Sequence, residues 1–107
     1  MSEFDPEKFE DKYEHYFPQL QKAYKQAFET MNDQYDSELI HAIDQQILAQ
    51  SEPFYEGDGA FRIDLPDDPE SNIEGVVLVD DEKFETIIDR YVEEIESELQ
   101  AVFGLAA

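Results

Sequence analysis

A Glu-x-x-His spacing, Glu38 to His41, is the first arrangement in the sequence that could do chemistry. Residues three or four apart share one face of a helix, as the ligands of carboxylate-bridged di-metal bundles do. Asp44 and Gln45 follow His41 at the same spacings, so this face could hold one metal ion or a small ligand. Di-metal sites need two such motifs and two more Glu, and the sequence contains one. We therefore predict no metal or other cofactor, and keep ligand binding on this helix as an alternative.

Catalytic nucleophiles have no recognisable setting in this sequence. There is no Cys, which excludes a thiolate nucleophile, a disulfide and a Cys-ligated zinc site. None of the five Ser lies in a Gly-x-Ser-x-Gly elbow, and the two His give no triad pattern. The tripeptide Gly57-Asp58-Gly59 lacks the other glycines of a phosphate-binding loop. The sequence therefore predicts no catalytic residue and a protein that is not an enzyme.

The acidic composition restricts the classes of partner. The chain has 28 Asp and Glu against 7 Lys and Arg, a formal net charge of −21. This charge argues against direct nucleic-acid binding and against adhesion to an anionic membrane. Residues 1–31 carry net −3 and residues 32–107 net −18. Concentrated salt screens the repulsion between these acids, so the composition favours the surface of a halophilic protein. The alternative is a nucleic-acid mimic built on the carboxylates from Glu85 to Glu98.

The first half of the chain is predicted to be helical. Apolar residues recur in steps of three and four from Phe9 to Met31, and this stripe includes Tyr13 and Phe17. Pro18 disfavours helix at the residue before it, which predicts one helix over about 6–16 and another over about 18–32. A third helix, capped by Asp36 or Ser37, is predicted to run to Gln50. Four lysines are expected to pair with acids on the same or neighbouring helices: Lys8, Lys12, Lys22 and Lys25.

The second half changes to a strand pattern. Residues 53–56 and 60–65 flank Gly57-Asp58-Gly59 and predict a hairpin with Phe61, Ile63 and Leu65 on one face. Residues 66–75 predict an exposed loop, and the apolar run 76–79 a third strand. Asp80 or Asp81 is predicted to cap a last helix that ends near Gly104. The predicted fold class is α+β: a single domain, 1–107, with two or three N-terminal helices, a three-stranded antiparallel β-meander and one long C-terminal helix.

Location and assembly are also open to prediction. The start of the sequence lacks the pattern of a secretion signal, and no apolar run reaches the ~20 residues of a membrane span, so we predict a cytoplasmic protein. The 14 Phe and Tyr are expected mainly in the core. The run 76–79, together with the apolar residues near 101–105, offers more apolar surface than one small sheet covers, which predicts a homodimer.

Three segments of the sequence resemble a known family. They are residues 4–10 (FDPEKFE), 35–46 (YDSELIHAIDQQ) and 51–59 (SEPFYEGDG). They are similar to segments of a small acidic protein family of unknown function from halophilic archaea, and the likeness runs over nearly the whole chain. The resemblance implies a halophilic cytosol and transfers no catalytic residue.

The predicted functional surface lies in this region, where the third helix carries more polar side chains than packing alone needs. The selected residues are Glu38, His41, Asp44, Gln45, Tyr55 and Asp58. Because no catalytic set is recognisable, the sequence predicts a non-catalytic domain. It would act through contacts with an unknown protein partner, as an adaptor or a regulator.

Overall fold

The structure is a computed structural model that describes residues 4–67 and 80–105. It confirms an α+β fold that is mostly helical, with a two-stranded antiparallel sheet and a long C-terminal helix. The helices are α1 (Pro6–Phe9), α2 (Lys12–His15), α3 (Phe17–Gln34), α4 (Ser37–Gln46) and α5 (Asp81–Val102), and the strands are β1 (Glu52–Gly57) and β2 (Ala60–Asp64). A short 3-10 helix, Leu48–Gln50, connects α4 to β1.

The helix predicted over 6–16 is two single turns instead. Asp5 caps α1, where its Oδ1 accepts from the Glu7 amide at 2.9 Å. The backbone leaves the helical region at Asp11 (φ −111°, ψ 44°), which separates α1 from α2. It leaves again at Tyr16 (φ −128°, ψ 18°), before α3 begins. Pro18 stands in the first turn of α3, where no amide donor is needed, so the break predicted next to it is confirmed.

The third predicted helix has the expected start and a shorter end. Asp36 is the N-cap of α4, and its Oδ1 lies 3.4 Å from the Glu38 amide nitrogen. The helix ends at Gln46 rather than Gln50, because the backbone at Ile47 (φ −118°, ψ −57°) tightens into the 3-10 helix. The chain therefore enters β1 directly after this turn, which brings Leu48 and Ser51 next to α3.

The predicted hairpin is confirmed. β1 pairs with β2 in a register that sets Tyr55 opposite Phe61, with an irregularity between Tyr55 and Gly57. The turn takes positive φ at three successive residues: Gly57 (+93°), Asp58 (+53°) and Gly59 (+78°). The third predicted strand, 76–79, and residues 68–75 of the predicted loop lie outside the described residues. The described sheet thus has two strands where three were predicted.

The core lies between α3, α4, α5 and the inner face of β2. The apolar stripe predicted for α5 is buried, and its members include Phe84, Ile87, Ile88, Tyr91, Ile95 and Leu99. The end of this helix is also confirmed, since Gly104 adopts φ +72° and the Leu105 amide donates to the Gln100 carbonyl at 2.7 Å.

An aromatic cluster closes one end of the core. Its ring centroids lie between 4.8 and 6.3 Å apart, and its members are Phe4, Phe9, Tyr16, Tyr55, Phe61 and Phe103. The Tyr16 hydroxyl also accepts from the Asp5 amide at 3.0 Å. Two short helical turns are therefore fixed to the hairpin and to the end of α5 mainly through rings.

Candidate functional site

The four residues of the predicted functional surface that lie on α4 differ in their exposure and contacts. One of its four selected residues, Asp44, is half-buried, and three are exposed: Glu38, His41 and Gln45. The His41 Nδ1 lies 2.9 Å from the Ser37 carbonyl oxygen, and since a carbonyl only accepts, Nδ1 carries the proton in this contact. The ring meets Phe28 of α3 edge-on, with centroids 4.9 Å apart. Within residues 4–67 and 80–105, no three His, Asp or Glu side chains form a group that could hold a metal ion.

Asp44 is coupled electrostatically to Tyr91 of α5. Burial raises the pKa of Asp44, and His41 opposes this shift. Burial also raises the pKa of Tyr91, and the charge of Asp44 raises it further. The Tyr91 hydroxyl is buried and has no hydrogen-bond partner among the described residues. No sequence pattern indicated this pair, because Tyr91 falls on the apolar stripe of α5.

The two selected residues of the hairpin serve its turn. The Tyr55 hydroxyl accepts from the Gly59 amide at 2.9 Å, while its ring packs against Phe4 and Phe61. Asp58 is exposed at the tip, in a left-handed conformation. In the part of the chain that the structure describes, no hydrogen bond or ion pair joins these two residues to the α4 side chains. The predicted surface is therefore divided into a helix part and a turn part.

The acids of α5 form its outer face. Arg90 is half-exposed and pairs with Glu94 at 3.2 Å and with Glu93 at 3.9 Å. Glu96 is partly buried, and this burial, followed by the charge of Glu93, raises its pKa. Some of the negative charge on this helix is thus neutralised locally or held at an energetic cost.

An apolar recess between α2, α3 and the start of β1 was not predicted. It has a volume of about 540 Å³, and we call it the aromatic groove. It is lined by Tyr13, Phe17, Leu20, Gln21, Tyr24, Leu48, Ala49, Ser51 and Pro53. Tyr13 is 56% exposed and Phe17 46% exposed, and they are the exposed large hydrophobic side chains of the described residues. Within the described residues, the large apolar side chains that are exposed to solvent therefore lie at the aromatic groove.

The backbone break at Tyr16 explains why Tyr13 and Phe17 are exposed to solvent and not buried in the core. The sequence predicted that the aromatic residues lie mainly in the core, and for Tyr13 and Phe17 this expectation is wrong. Tyr13 belongs to the single turn α2 and Phe17 opens α3, so the non-helical backbone of Tyr16 between them changes the helical phase. Tyr16 itself and Leu20 are buried, as the stripe predicted. Pro18 was the signal for the break, but the direction of each ring depends on the packing of both helices.

Three lining residues of the groove carry hydroxyl groups: Tyr13, Tyr24 and Ser51. The Ser51 Oγ donates to the Leu48 carbonyl at 2.6 Å, and the Tyr24 hydroxyl lies 3.1 Å from the same Oγ. Since the proton of Ser51 is directed to the carbonyl, Tyr24 is the donor to Ser51. Burial raises the pKa of Tyr24 to about 12. The hydroxyls of Tyr24 and Ser51 are thus satisfied within the chain, and the groove offers mainly apolar contact.

A buried lysine stands beside the groove. The Lys12 Nζ lies 2.9 Å from Glu52 Oε2, and the rings of Phe9, Tyr13 and Phe54 surround it at 4.8–5.4 Å from their centroids. The expected partner of Lys12 was an acid on the same or a neighbouring helix, whereas Glu52 belongs to β1. A second recess of about 430 Å³ is lined by Pro6, Phe9, Glu10, Lys12, Glu52, Phe54 and Tyr55. The Lys12 ammonium therefore has its counter-charge and its aromatic contacts within the chain.

Comparison with known proteins places the chain in a family. Residues 1–106 match the model described as "Family of unknown function (DUF5783)". The chain belongs to DUF5783. This match confirms the resemblance to a family of unknown function, over nearly the whole length of the sequence. No curated protein and no solved structure matches the chain.

None of the described helices of this DUF5783 chain combines the length and the apolar character that crossing a bilayer requires. α5, the longest at 22 residues, carries charged residues along its whole length.

Proposed function

We propose that the protein is a non-catalytic interaction domain, an adaptor or a regulator, which binds apolar side chains of a partner protein in the aromatic groove. One observation carries this proposal: Tyr13 and Phe17, 56% and 46% exposed, lie on the same recess. Leaving aromatic area in water forgoes about 25 cal/mol per Å² that burial would gain. Aromatic side chains grouped in one patch are typical of the residues that contribute most to protein interfaces.

The lining of the groove defines the chemistry of the partner. The hydroxyls of Tyr24 and Ser51 are hydrogen-bonded within the chain, and the backbone of Pro53 has no amide donor. A charged group that entered the groove would lose hydration without gaining a counter-charge from Leu20, Leu48 or Ala49. The partner should therefore insert aliphatic or aromatic side chains.

The setting we propose is a salt-rich cytoplasm, as in halophilic archaea. A net charge of −21 on 107 residues favours expansion through self-repulsion at low ionic strength. At about 1 M salt the Debye length falls to about 3 Å, so this repulsion becomes small while apolar contacts persist. An interface that uses aromatic rings rather than ion pairs fits such a medium.

Photo-cross-linking in cells tests the proposal. A benzoyl-phenylalanine is placed at Gln21, a polar residue of the groove lining, and a matched probe at Thr86, exposed on α5. The expected result is a protein adduct from the Gln21 probe but not from the Thr86 probe. The adduct should disappear when Tyr13→Ala and Phe17→Ala are combined. It should persist with Phe28→Ala, a half-buried aromatic on the same helix as Phe17.

The captured protein must then bind the purified chain at about 1 M KCl, with an affinity that the double variant lowers at least tenfold, about 1.4 kcal/mol. The proposal fails if the Gln21 probe gives no protein adduct, or if the double variant leaves the adduct and the affinity unchanged.

A further inference from the structure

We propose that the occupant of the aromatic groove is the same groove of a second copy, so that the protein is a two-fold symmetric homodimer. This inference rests on the proposed function and names the partner. Two features of the groove support it: exposed rings and a recess lie on the same patch, and the charge of this patch differs from that of the rest of the chain.

The shape combines projecting side chains with a recess on one patch. A two-fold interface brings the same surface of both subunits together, so that surface must offer both the groups that insert and the space that receives them. Tyr13 and Phe17 are about half exposed and supply the inserting rings. The recess of about 540 Å³ beside them lies in the size range of cavities that bind organic ligands, roughly 300–1,000 Å³.

The charge of the groove distinguishes a second copy from other partners. The segments that line it, taken with Lys12, span residues 12–24 and 48–53 and contain two lysines and two acids, so their net charge is zero. The formal charge of −21 is therefore carried entirely by the other residues. Two identical acidic chains repel wherever their acidic surfaces meet, and they repel least through this neutral patch.

Few free charges remain in these segments. Their exposed charged residues are Glu14 and Lys22, which carry opposite signs. Glu52, by contrast, is engaged by the buried Lys12 at 2.9 Å and adds no free charge. Exposed aromatic residues in an uncharged lining match the usual composition of the centre of a protein interface.

Sedimentation equilibrium of the purified chain at about 1 M KCl tests the inference, because the Debye length there is about 3 Å. We expect wild type to approach twice the chain mass of 12.5 kDa with increasing concentration. Combined Tyr13→Ala and Phe17→Ala should weaken the dimer at least tenfold, while Phe28→Ala should leave it unchanged. Circular dichroism identifies a variant that does not fold, and Gln21→Glu then replaces it, since it sets two carboxylates into the same neutral patch.

The cross-linking probe at Gln21 separates failure of this inference from failure of the proposed function. Adducts between a heavy-isotope-labelled and an unlabelled copy support the homodimer. A monomeric wild type with a Gln21 adduct to a different protein overturns the homodimer and retains the interaction domain. A monomer without any Gln21 adduct overturns both. A dimer that neither the double variant nor Gln21→Glu weakens forms through another surface, and this result also overturns the inference.

Discussion

Lys12 of α2 and Glu52 of β1 are 40 positions apart in the sequence, and their Nζ and Oε2 atoms lie 2.9 Å apart. The Lys12 side chain is only 4% exposed, whereas Glu52 is 47% exposed. An ammonium buried among rings needs its counter-charge, while a carboxylate that reaches solvent can be hydrated without one. The pair therefore fixes α2 to the sheet, and with it the position of Tyr13 on the groove.

Glu52→Ala should destabilise the fold by about 1–3 kcal/mol, because it leaves the Lys12 ammonium buried without its acceptor. Denaturant unfolding at constant high salt measures the loss. The matched control is Glu56→Ala on the same strand, since Glu56 is exposed and lies 3.5 Å from Arg62. Its cost should stay below about 1 kcal/mol. Lys12→Met should cost less than Glu52→Ala, because it removes the charge and keeps the packed stem; equal losses for all three variants would contradict this account.

Asp44→Asn should stabilise the protein at neutral pH. Burial raises the pKa of Asp44 in the folded state, so its protonated form contributes stability at low pH, and that contribution is lost as pH rises through the folded pKa. The gain from Asp44→Asn should therefore shrink as pH falls through the raised folded pKa, and it should vanish below the ordinary aspartate value of about 3.9. Thermal unfolding between acidic and neutral pH measures it. Glu29→Gln, an exposed carboxylate on α3, corrects for the loss of one charge, and a gain no larger than this control would count against a desolvated Asp44.

Tyr24 should be among the last tyrosines to ionise in alkaline solution. Its pKa is raised to about 12, so the stability it contributes is present below the ordinary tyrosine value of about 10 and is lost as pH rises toward 12. Tyr24→Phe should remove this late step from the ultraviolet titration of tyrosinate. Tyr35→Phe is the control. An unchanged late step in Tyr24→Phe would assign it to another tyrosine.

Stability should increase with salt and become nearly constant above about 1 M, where screening is complete within about 3 Å. The high mean charge density predicts this salt dependence, and charge-reversal variants can show where in the structure the repulsion arises. Glu85→Lys on α5 should raise the unfolding midpoint at low salt and have little effect at high salt. Glu14→Lys, in the neutral patch, should have a smaller effect at low salt. Equal effects at both sites would show that repulsion does not depend on local acid density.

Local rules were enough to predict most of the elements. The capping residues Asp5 and Asp36, the hairpin with its Gly-Asp-Gly turn and the left-handed Gly104 all follow from interactions between near neighbours in the chain. The apolar stripe of α5 is regular because one face of a long helix packs against a single core. Such features can be predicted with little knowledge of how the rest of the chain folds.

The groove depends on interactions that no local pattern contains. The break at Tyr16 separates Tyr13 from Phe17, and the early end of α4 at Gln46 brings Leu48 next to α3; both depend on how short segments pack. The Lys12–Glu52 pair joins residues that periodicity cannot relate. Of the residues predicted as a functional surface, His41 and Tyr55 bond to backbone groups of Ser37 and Gly59, which no periodicity predicts.

The position of α5 in the chain order has a consequence for synthesis. α5 packs along α3, and the Gln100 side chain donates to the Gly59 carbonyl at 2.7 Å, so this helix also holds the tip of the hairpin. A ribosome completes every other described element before α5 emerges. Until then the faces of α3 and β2 that α5 covers are exposed on the nascent chain, and such transiently exposed apolar surface favours aggregation. The acidic residues made before α5 repel those of neighbouring nascent chains and oppose that aggregation during translation.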